Sequence, residues 1–203
     1  MKIFCIGRNY ANHAKEMNAS LPEKPLFFMK PDTALLGKKA DFYYPDFTKD
    51  IHYECELVIR IRKVGKNISE KFAHEYYDQV GIGIDFTARD LQSECKENGH
   101  PWEIAKAFDN SAPLGTHFIS LENKDVQNIN FHLKKNGEIV QKGNSQDMIF
   151  SVSKIIAYLS QFCTLKTGDL IFTGTPEGVG SIAIGDRLEA FIEEEKLLDL
   201  KIK

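Results

Sequence analysis

The fold of the chain is most clearly indicated by one stretch in its second half: Phe131-His132-Leu133-Lys134-Lys135-Asn136-Gly137-Glu138-Ile139-Val140-Gln141-Lys142. Residues 131–135 and 138–142 have strand patterns, and they flank Asn136-Gly137, the dipeptide that most strongly favours a two-residue hairpin turn. A hairpin joins antiparallel strands directly, whereas parallel neighbours need a long crossover that is usually a helix. The stretch therefore favours antiparallel pairing over a doubly wound sheet.

Outside this hairpin, strand patterns outnumber helix patterns. Further strands are predicted at residues 3–6, 26–30, 51–62, 80–85, 170–173, 187–192 and 196–202. Helices are predicted at residues 10–17 with Asn9 as N-cap, near 70–77 after Ser69, near 87–97 before Asn98-Gly99, and at 151–161. We therefore expect a strand-dominated α+β fold with short helices, formed by a single domain over residues 1–203.

Composition excludes several classes of protein. The chain has 203 residues, of which 42% are hydrophobic and 27% charged, as expected for a globular protein with a sizeable core. Its net charge of -3 gives no basic surface for nucleic acid. No apolar run approaches the roughly 20 residues that span a bilayer, and the first residues predict a strand rather than a signal peptide. Four widely spaced cysteines without a C-x-x-C pair favour reduced thiols and a cytoplasmic location.

The segment at residues 51–59 carries two carboxylates, Glu54 and Glu56, inside an otherwise apolar strand pattern. In a strand, residues i and i+2 point to the same face, so both carboxylates are expected to project together. Two neighbouring anions repel, and a hard divalent cation such as Mg²⁺, Mn²⁺ or Ca²⁺ would stabilise them. The alternative is an exposed edge pair beside a lysine.

Asp85 follows the glycine-spaced strand at residues 80–85 and could complete a set of three carboxylates, which with water or substrate would fill an octahedral shell. Taken alone, Asp85 is more typical of an N-cap for the following helix. His13 and Glu16 are spaced i, i+3 on a predicted helix, so the carboxylate can orient the imidazole for activation of water. The alternative is a solvated helix face.

Two lysines and one loop complete the candidate residues. Lys30 and Lys106 lie in apolar surroundings, where they could bind a substrate carboxylate or a developing enolate, or extend to solvent. Residues 172–180, Phe-Thr-Gly-Thr-Pro-Glu-Gly-Val-Gly, could form an anion pocket or a tight turn. No G-x-S-x-G, H-E-x-x-H or dinucleotide motif is present.

Seven blocks, in this order, resemble the fumarylacetoacetate hydrolase family, in its short acylpyruvase and oxaloacetate decarboxylase branch. The blocks are Tyr10…His13…Glu16, Phe28-Met29-Lys30-Pro31, Tyr53-Glu54-Cys55-Glu56-Leu57, Asp85-Phe86-Thr87-Ala88-Arg89-Asp90, Lys106-Ala107-Phe108-Asp109, Met148-Ile149-Phe150 and Thr173-Gly174-Thr175-Pro176-x-Gly178-Val179-Gly180. The resemblance implies a mixed β-sandwich or β-roll, a homodimer, and bound Mg²⁺ or Mn²⁺, which Ca²⁺ can replace in crystals.

The resemblance also implies a role for each matching residue. Glu54, Glu56 and Asp85 resemble the metal ligands, His13 and Glu16 the water-activating dyad, and Lys106 the lysine beside the metal. Substrate-contacting positions are matched by Lys30, Arg89, Gln92 and Thr175.

The implied reaction is metal-dependent hydrolysis of a C–C bond in a small 2,4-dioxo acid, an acylpyruvate, which releases pyruvate through a metal-stabilised enolate. Oxaloacetate decarboxylation or tautomerisation would use the same enolate. A 2-hydroxyhepta-2,4-diene-1,7-dioate isomerase of aromatic degradation is a further alternative, and a non-enzymatic carboxylate-rich domain is disfavoured by the presence of His13, Glu16 and Lys106. The expected partner is a small 2-oxo acid rather than a nucleic acid or a membrane.

Overall fold

The Asn136-Gly137 dipeptide makes the predicted turn in the computed structural model of the chain, which describes residues 1–17, 20–37 and 40–203. Asn136 has φ 54° and Gly137 φ 89°, the left-handed values that a type I′ turn requires. The turn joins strands Asn130–Lys135 and Glu138–Asn144, which pair antiparallel. The predicted hairpin is confirmed.

Within the described ranges, thirteen strands dominate the fold. They are β1 (Ile3–Gly7), β2 (Leu26–Lys30), β3 (Ile51–Tyr53), β4 (Cys55–Arg60), β5 (Gln79–Ile84), β6 (Thr87–Ala88), β7 (Ile119–Ser120), β8 (Asn130–Lys135), β9 (Glu138–Asn144), β10 (Leu170–Phe172), β11 (Gly180–Ser181), β12 (Arg187–Ile192) and β13 (Glu195–Lys201). The α-helices are α1 (Ala11–Glu16), α2 (Arg89–Asn98), α3 (Glu103–Lys106) and α4 (Val152–Phe162), and short 3₁₀ segments cover Asp32–Ala34, Glu70–Tyr76 and Ser145–Asp147.

The strands form three sheets. The largest has the order β2-β1-β10-β4-β5-β7, the second β13-β12-β8-β9 and the smallest β11-β3-β6. In the six-stranded sheet, β1 and β10 are parallel, whereas the other neighbours are antiparallel. The predicted strand-dominated α+β fold is confirmed. No helix in the described ranges has the length and apolar character needed to cross a bilayer.

The main core joins the two larger sheets. Leu57 and Ile82 of the six-stranded sheet share one buried cluster with Leu133 and Ala190 of the four-stranded sheet. The opposite face of β1 contributes Ile3 and Cys5 to a second cluster with Val58 and Phe172. Both faces of β1 are therefore buried, which explains its continuous apolar sequence.

The strand predicted at residues 51–62 is wrong in one respect, because it is interrupted at Glu54. β3 pairs with β6 and β11, whereas β4 enters the six-stranded sheet between β10 and β5. The chain therefore changes sheets at the first carboxylate of the E-x-E motif. The freed N–H of Cys55 donates to Oε1 of Gln141 at 2.9 Å, which satisfies the buried donor at the break.

Three helix predictions also need correction. Tyr10, not Asn9, is the N-cap of α1, because the Asn9 side chain is held elsewhere. The segment after Ser69 is 3₁₀ rather than α-helical. Helix α2 begins at Arg89 after the short strand β6, so the N-cap alternative for Asp85 is wrong as well. Gly99 ends α2 with φ 66°, as predicted.

Candidate active site

The strand break and the end of β5 bring three carboxylates together. Glu54 lies at the break, Glu56 faces Gly83 on β5, and Asp85 follows β5, where its N–H donates to the Glu54 carbonyl at 2.8 Å. All three side chains are buried, and one oxygen from each lies within 4.8 Å of the other two. We call this group the carboxylate triad.

Two lysine side chains contact the triad from different sides. Lys106, at the end of α3, places Nζ 2.9 Å from Glu54 Oε2 and 2.8 Å from Asp85 Oδ2. Lys30 Nζ lies 2.8 Å from Asp85 Oδ1 and donates to Ser111 Oγ at 2.9 Å. Lys30 also donates to the carbonyls of Phe86, Lys106 and Ser111, so its ammonium is held by backbone and does not line the cavity.

Arg89, the first residue of α2, contributes the third cation. Its Nη2 lies 2.6 Å from Glu54 Oε1, and its Nη1 donates to Oε1 of Gln92 at 2.7 Å. Burial raises the pKa of Glu54, but Lys106 and Arg89 outweigh that effect and hold the pKa well below its ordinary value. Glu54 is therefore an anion stabilised by two cations.

Glu56 has a different environment. It forms no ion pair with any described residue, and its one hydrogen bond comes from the N–H of Gly174, 2.7 Å from Oε2. Burial and the nearby Asp85 raise the pKa of Glu56 well above its ordinary value. Oδ1 of Asp85 is also buried, and its contact within the described ranges is the ion pair with Lys30. Oxygen atoms with free acceptor capacity in a buried anionic group fit a hard divalent cation.

His13 and Glu16 form the predicted pair on α1. His13 Nδ1 lies 3.2 Å from Glu16 Oε2, and the imidazole is buried on the helix face that lines the cavity. Glu16 also accepts from the N–H of Gly178, 3.0 Å from Oε1. The same carboxylate thus holds the imidazole and attaches α1 to the glycine loop, which we define as residues 174–180.

The cavity above the triad has a volume of about 400 Å³. His13, Arg89, Gln92, Lys106 and Thr175 line it together with the triad. Apolar walls come from Ile6, Leu26, Phe28 and Trp102, and further basic groups from Arg8 and Lys96. The structure therefore brings the predicted site residues to one cavity, except that Lys30 and Glu16 lie behind residues that line it.

A family model described as "Fumarylacetoacetate (FAA) hydrolase C-terminal" matches residues 2–202. The chain belongs to this family. The bovine protein named oxaloacetate tautomerase FAHD1, mitochondrial, is 40% identical over 201 residues, which cover 99% of this chain and 90% of the relative. The oxaloacetate tautomerase YcgM of Escherichia coli strain K12 is 41% identical over 197 residues, 97% of this chain and 90% of the relative.

Among solved structures, the family fold is matched by fumarylpyruvate hydrolase from Pseudomonas aeruginosa in complex with Mn²⁺ and pyruvate. The TM-score is 0.93 at 39% identity, and the match covers 100% of this chain and 89% of that one. The predicted family is confirmed by these comparisons.

Two supporting residues of this family member were not predicted from sequence. Gln141 of β9 is buried, and its amide donates to Thr175 Oγ1 at 2.8 Å and to the Pro176 carbonyl at 2.9 Å while it accepts from Cys55 N–H. Gln141 therefore ties the strand break to the glycine loop. The sequence gives no signal for this placement. A regular two-residue hairpin would put Gln141 opposite His132, whereas a bulge between Leu133 and Lys134 puts it opposite the buried Leu133.

Asn9 is the second such residue. It is fully buried, and its amide donates to the Phe150 and Thr173 carbonyls while its Oδ1 accepts from Phe150 N–H at 2.8 Å. These hydrogen bonds join the end of β1 to β10 and to the segment before α4. Asn9 thereby fixes the chain between Arg8 and α1, both of which border the cavity.

Proposed function

We propose that the protein is a divalent-cation-dependent enzyme that acts on a small 2-oxo acid by forming and protonating an enolate. The observation that carries this proposal is the buried carboxylate triad, which faces a cavity of about 400 Å³ beside His13, Arg89 and Lys106. Mg²⁺ or Mn²⁺ held by Glu54, Glu56 and Asp85 would supply Lewis-acid polarisation of the 2-oxo group.

The positive side chains stabilise the negative charge that develops on the substrate. Burial lowers the pKa of Lys106, but Asp85 and Glu54 outweigh it and raise the pKa above its ordinary value. Lys106 therefore remains an ammonium and acts as a charge stabiliser, not as a base. Arg89, which shares Glu54 with Lys106, adds a second positive charge at the same edge of the triad.

The His13–Glu16 pair supports hydrolysis of an acylpyruvate as the first candidate reaction. His13, oriented by Glu16, accepts a proton from water, and the resulting hydroxide attacks the distal carbonyl of the 2,4-dioxo acid. The C–C bond then breaks, the acyl group leaves as a carboxylic acid, and the electron pair remains on pyruvate as its enolate. Proton transfer to that enolate completes the release of pyruvate.

Oxaloacetate tautomerisation is the second candidate, and it is favoured by the names of relatives that are 40% and 41% identical over nearly the whole chain. This reaction needs no attacking water. His13 would accept a proton from the methylene carbon of the keto form or from the hydroxyl group of the enol form. The proton would then return to the other of these two positions. Decarboxylation would pass through the same enolate by loss of CO₂.

One set of assays tests the proposal. The purified protein is supplied with Mg²⁺ or Mn²⁺ and offered acetylpyruvate, fumarylpyruvate and oxaloacetate separately, with pyruvate release and keto–enol absorbance followed for each. We expect turnover of at least one substrate and its loss in Glu54→Ala/Glu56→Ala. A matched control is Glu94→Ala/Glu97→Ala, which removes two exposed carboxylates from α2. No turnover of any substrate would contradict the proposal.

The homodimer and the cytoplasmic location implied above remain predictions. Light scattering of the purified protein would test the first, with a mass near twice the 23.1 kDa of one chain as the expected result.

A further inference from the structure

Two basic residues at the cavity have no assigned role in the chemistry above. Arg8 follows β1 and Lys96 lies on α2, and both line the same cavity as the carboxylate triad. Lys96 is exposed and Arg8 is half-buried, so they lie toward the rim rather than at the floor. Partial burial of the Lys96 ammonium and the positive charges of Arg89 and Arg8 lower the pKa of Lys96, in agreement with the position of all three residues around one cavity.

The ion pairs among the buried residues of the cavity do not include Arg8 or Lys96. Lys30 pairs with Asp85, Lys106 with Glu54 and Asp85, and Arg89 with Glu54. Two carboxylates of the triad, Glu54 and Asp85, are thus paired with three cations of the chain, and Arg8 and Lys96 are not among these cations. Neither Arg8 nor Lys96 forms an ion pair with any other residue in the ranges that the structure describes, and a bound divalent cation would add further positive charge.

The positions of Arg8 and Lys96 are fixed by contacts with the surrounding chain. Arg8 has φ 57°, a left-handed value that is unfavourable for a residue with a side chain. The buried Asn9 that follows it is anchored by hydrogen bonds to Phe150 and Thr173, which hold the turn in place. Lys96 donates to Gln92 Oε1 at 3.2 Å, and its Nζ lies 5.7 Å from the centre of the Trp102 ring. Backbone strain maintained by a buried anchor is typical of a functional position.

We propose that Arg8 and Lys96 bind a second carboxylate of the substrate, distal to its 2-oxo acid group, and so select dicarboxylic over monocarboxylic 2-oxo acids. This inference rests on the proposed function, in which the 2-oxo acid end lies at the triad. A carboxylate is the group that a guanidinium and an ammonium recognise together. The apolar walls at Phe28 and Trp102 suit the carbon chain between the two ends.

Binding of two matched acids tests this inference without relying on turnover. 2-Oxoglutarate and 2-oxopentanoate have the same chain length and differ in the second carboxylate. Their dissociation constants are measured by calorimetry with the Mn²⁺-loaded protein, for the wild type and for Arg8→Gln, Lys96→Gln and the double variant. We expect the wild type to bind 2-oxoglutarate at least tenfold more tightly, and we expect this preference to fall at least tenfold in the double variant.

Lys124→Gln is the matched control, because it removes one exposed positive charge from a different surface and should keep the wild-type preference. Lys96→Gln is an exposed substitution, so its fold can be checked by circular dichroism. An equal affinity of the wild type for the two acids, a preference that survives in the double variant, or no binding of 2-oxoglutarate overturns the inference. The readout of this experiment is affinity, not turnover. Selective binding of 2-oxoglutarate without turnover of any substrate would therefore contradict the proposed reaction but not this inference.

Discussion

The backbone N–H of Gly174 donates a 2.7 Å hydrogen bond to Oε2 of Glu56, the triad member without an ion pair in the described ranges. Gly174 can do so because it has φ 103°, a conformation that other residues rarely adopt. A Cβ at this position would also lie 2.7 Å from Cβ of Asn9. The glycine thus allows the loop to approach the end of β1 and to reach the buried carboxylate at the same time.

We therefore expect Gly174→Ala to weaken both folding and cation binding. The left-handed φ and the contact with Asn9 should lower the free energy of unfolding by about 1–3 kcal/mol, and displacement of the loop should remove the hydrogen bond to Glu56. Urea unfolding measures the first effect, and calorimetric titration with Mn²⁺ measures the second. Gly99→Ala is the control, because Gly99 has φ 66° at the end of α2 but nothing within 4 Å of its would-be Cβ. It should lose stability without losing Mn²⁺ affinity, and a parallel loss of affinity in both variants would argue against a specific role for Gly174.

The Lys106 ammonium is shared by two buried carboxylates, Glu54 and Asp85. Lys106→Met should leave Glu54 and Asp85 without this shared ammonium, which for a broken buried ion pair costs about 3–5 kcal/mol. Because Mn²⁺ can replace part of the lost positive charge, we expect the ion to raise the melting temperature more in the variant than in the wild type. Lys63→Met removes one partner of an exposed ion pair with Glu75 and should change stability little. A similar small effect for Lys106→Met would show that the triad does not depend on the ammonium.

Much of this site could be predicted because its residue types carry local chemical information. Glu54, Glu56 and Asp85 stand in strand patterns where a carboxylate is unusual, and His13 and Glu16 have the spacing of neighbours on a helix. The Asn136-Gly137 turn is equally local, because its two residues alone favour the left-handed conformation.

The parts that could not be predicted depend on contacts far apart in the chain. Gln141 binds the N–H of Cys55 across 86 positions, and Asn9 binds Phe150 across 141. Asn before a helix usually acts as an N-cap, but here tertiary hydrogen bonds use the side chain instead. The change of sheet at Glu54 has the same origin, because nothing in the run of residues 51–59 indicates which strands lie beside it. Local patterns predicted which residues lie at the candidate site, and long-range contacts determine how they are held.

The raised pKa of Glu56 predicts a pH dependence of stability for the protein without a cation. The folded protein binds this proton more tightly than the unfolded chain, whose glutamate pKa is about 4.3. The stabilisation is complete below that value and is lost as pH rises through the raised pKa of the folded state, by at most about 1.4 kcal/mol per pH unit. Glu56→Gln keeps the shape and the Gly174 hydrogen bond but cannot ionise. Without a cation, its melting temperature should exceed that of the wild type by a margin that grows as the pH rises above about 4.3 toward the raised pKa of Glu56.

Addition of Mn²⁺ should reverse this order at pH 8. We expect the ion to bind and stabilise the wild type, whereas the neutral amide of Glu56→Gln would remove one of the three proposed anionic ligands. Melting curves at several pH values with EDTA or with Mn²⁺ give the comparison. A variant that gains as much from Mn²⁺ as the wild type would mean that Glu56 is not a ligand.

Glu16 contacts both His13 Nδ1 and the Gly178 N–H. Two substitutions of Glu16, one of which keeps the contact with Gly178, should therefore differ in their rates of hydrolysis. Glu16→Gln can still accept from Gly178, but it cannot stabilise the protonated imidazole with a negative charge. Glu16→Ala loses both contacts. We expect acetylpyruvate hydrolysis to fall about 10²-fold or more in His13→Ala, the lower range for loss of a general base. It should fall less in Glu16→Gln than in Glu16→Ala.

Loop attachment can be separated from proton transfer by Asn12→Ala. This variant removes the 3.2 Å hydrogen bond from Asn12 Nδ2 to Glu177 Oε1, a second link between α1 and the glycine loop, and leaves the His13–Glu16 pair untouched. If attachment of α1 is the main role of Glu16, then Asn12→Ala should share much of its defect, and Glu16→Gln should be nearly as active as the wild type. If the charge on Glu16 matters, Asn12→Ala stays active and Glu16→Gln does not.

Decarboxylation of oxaloacetate needs no attacking water, so it should be less sensitive to His13→Ala than hydrolysis is. Equal losses of both reactions would assign His13 to binding or enolate protonation instead of water activation.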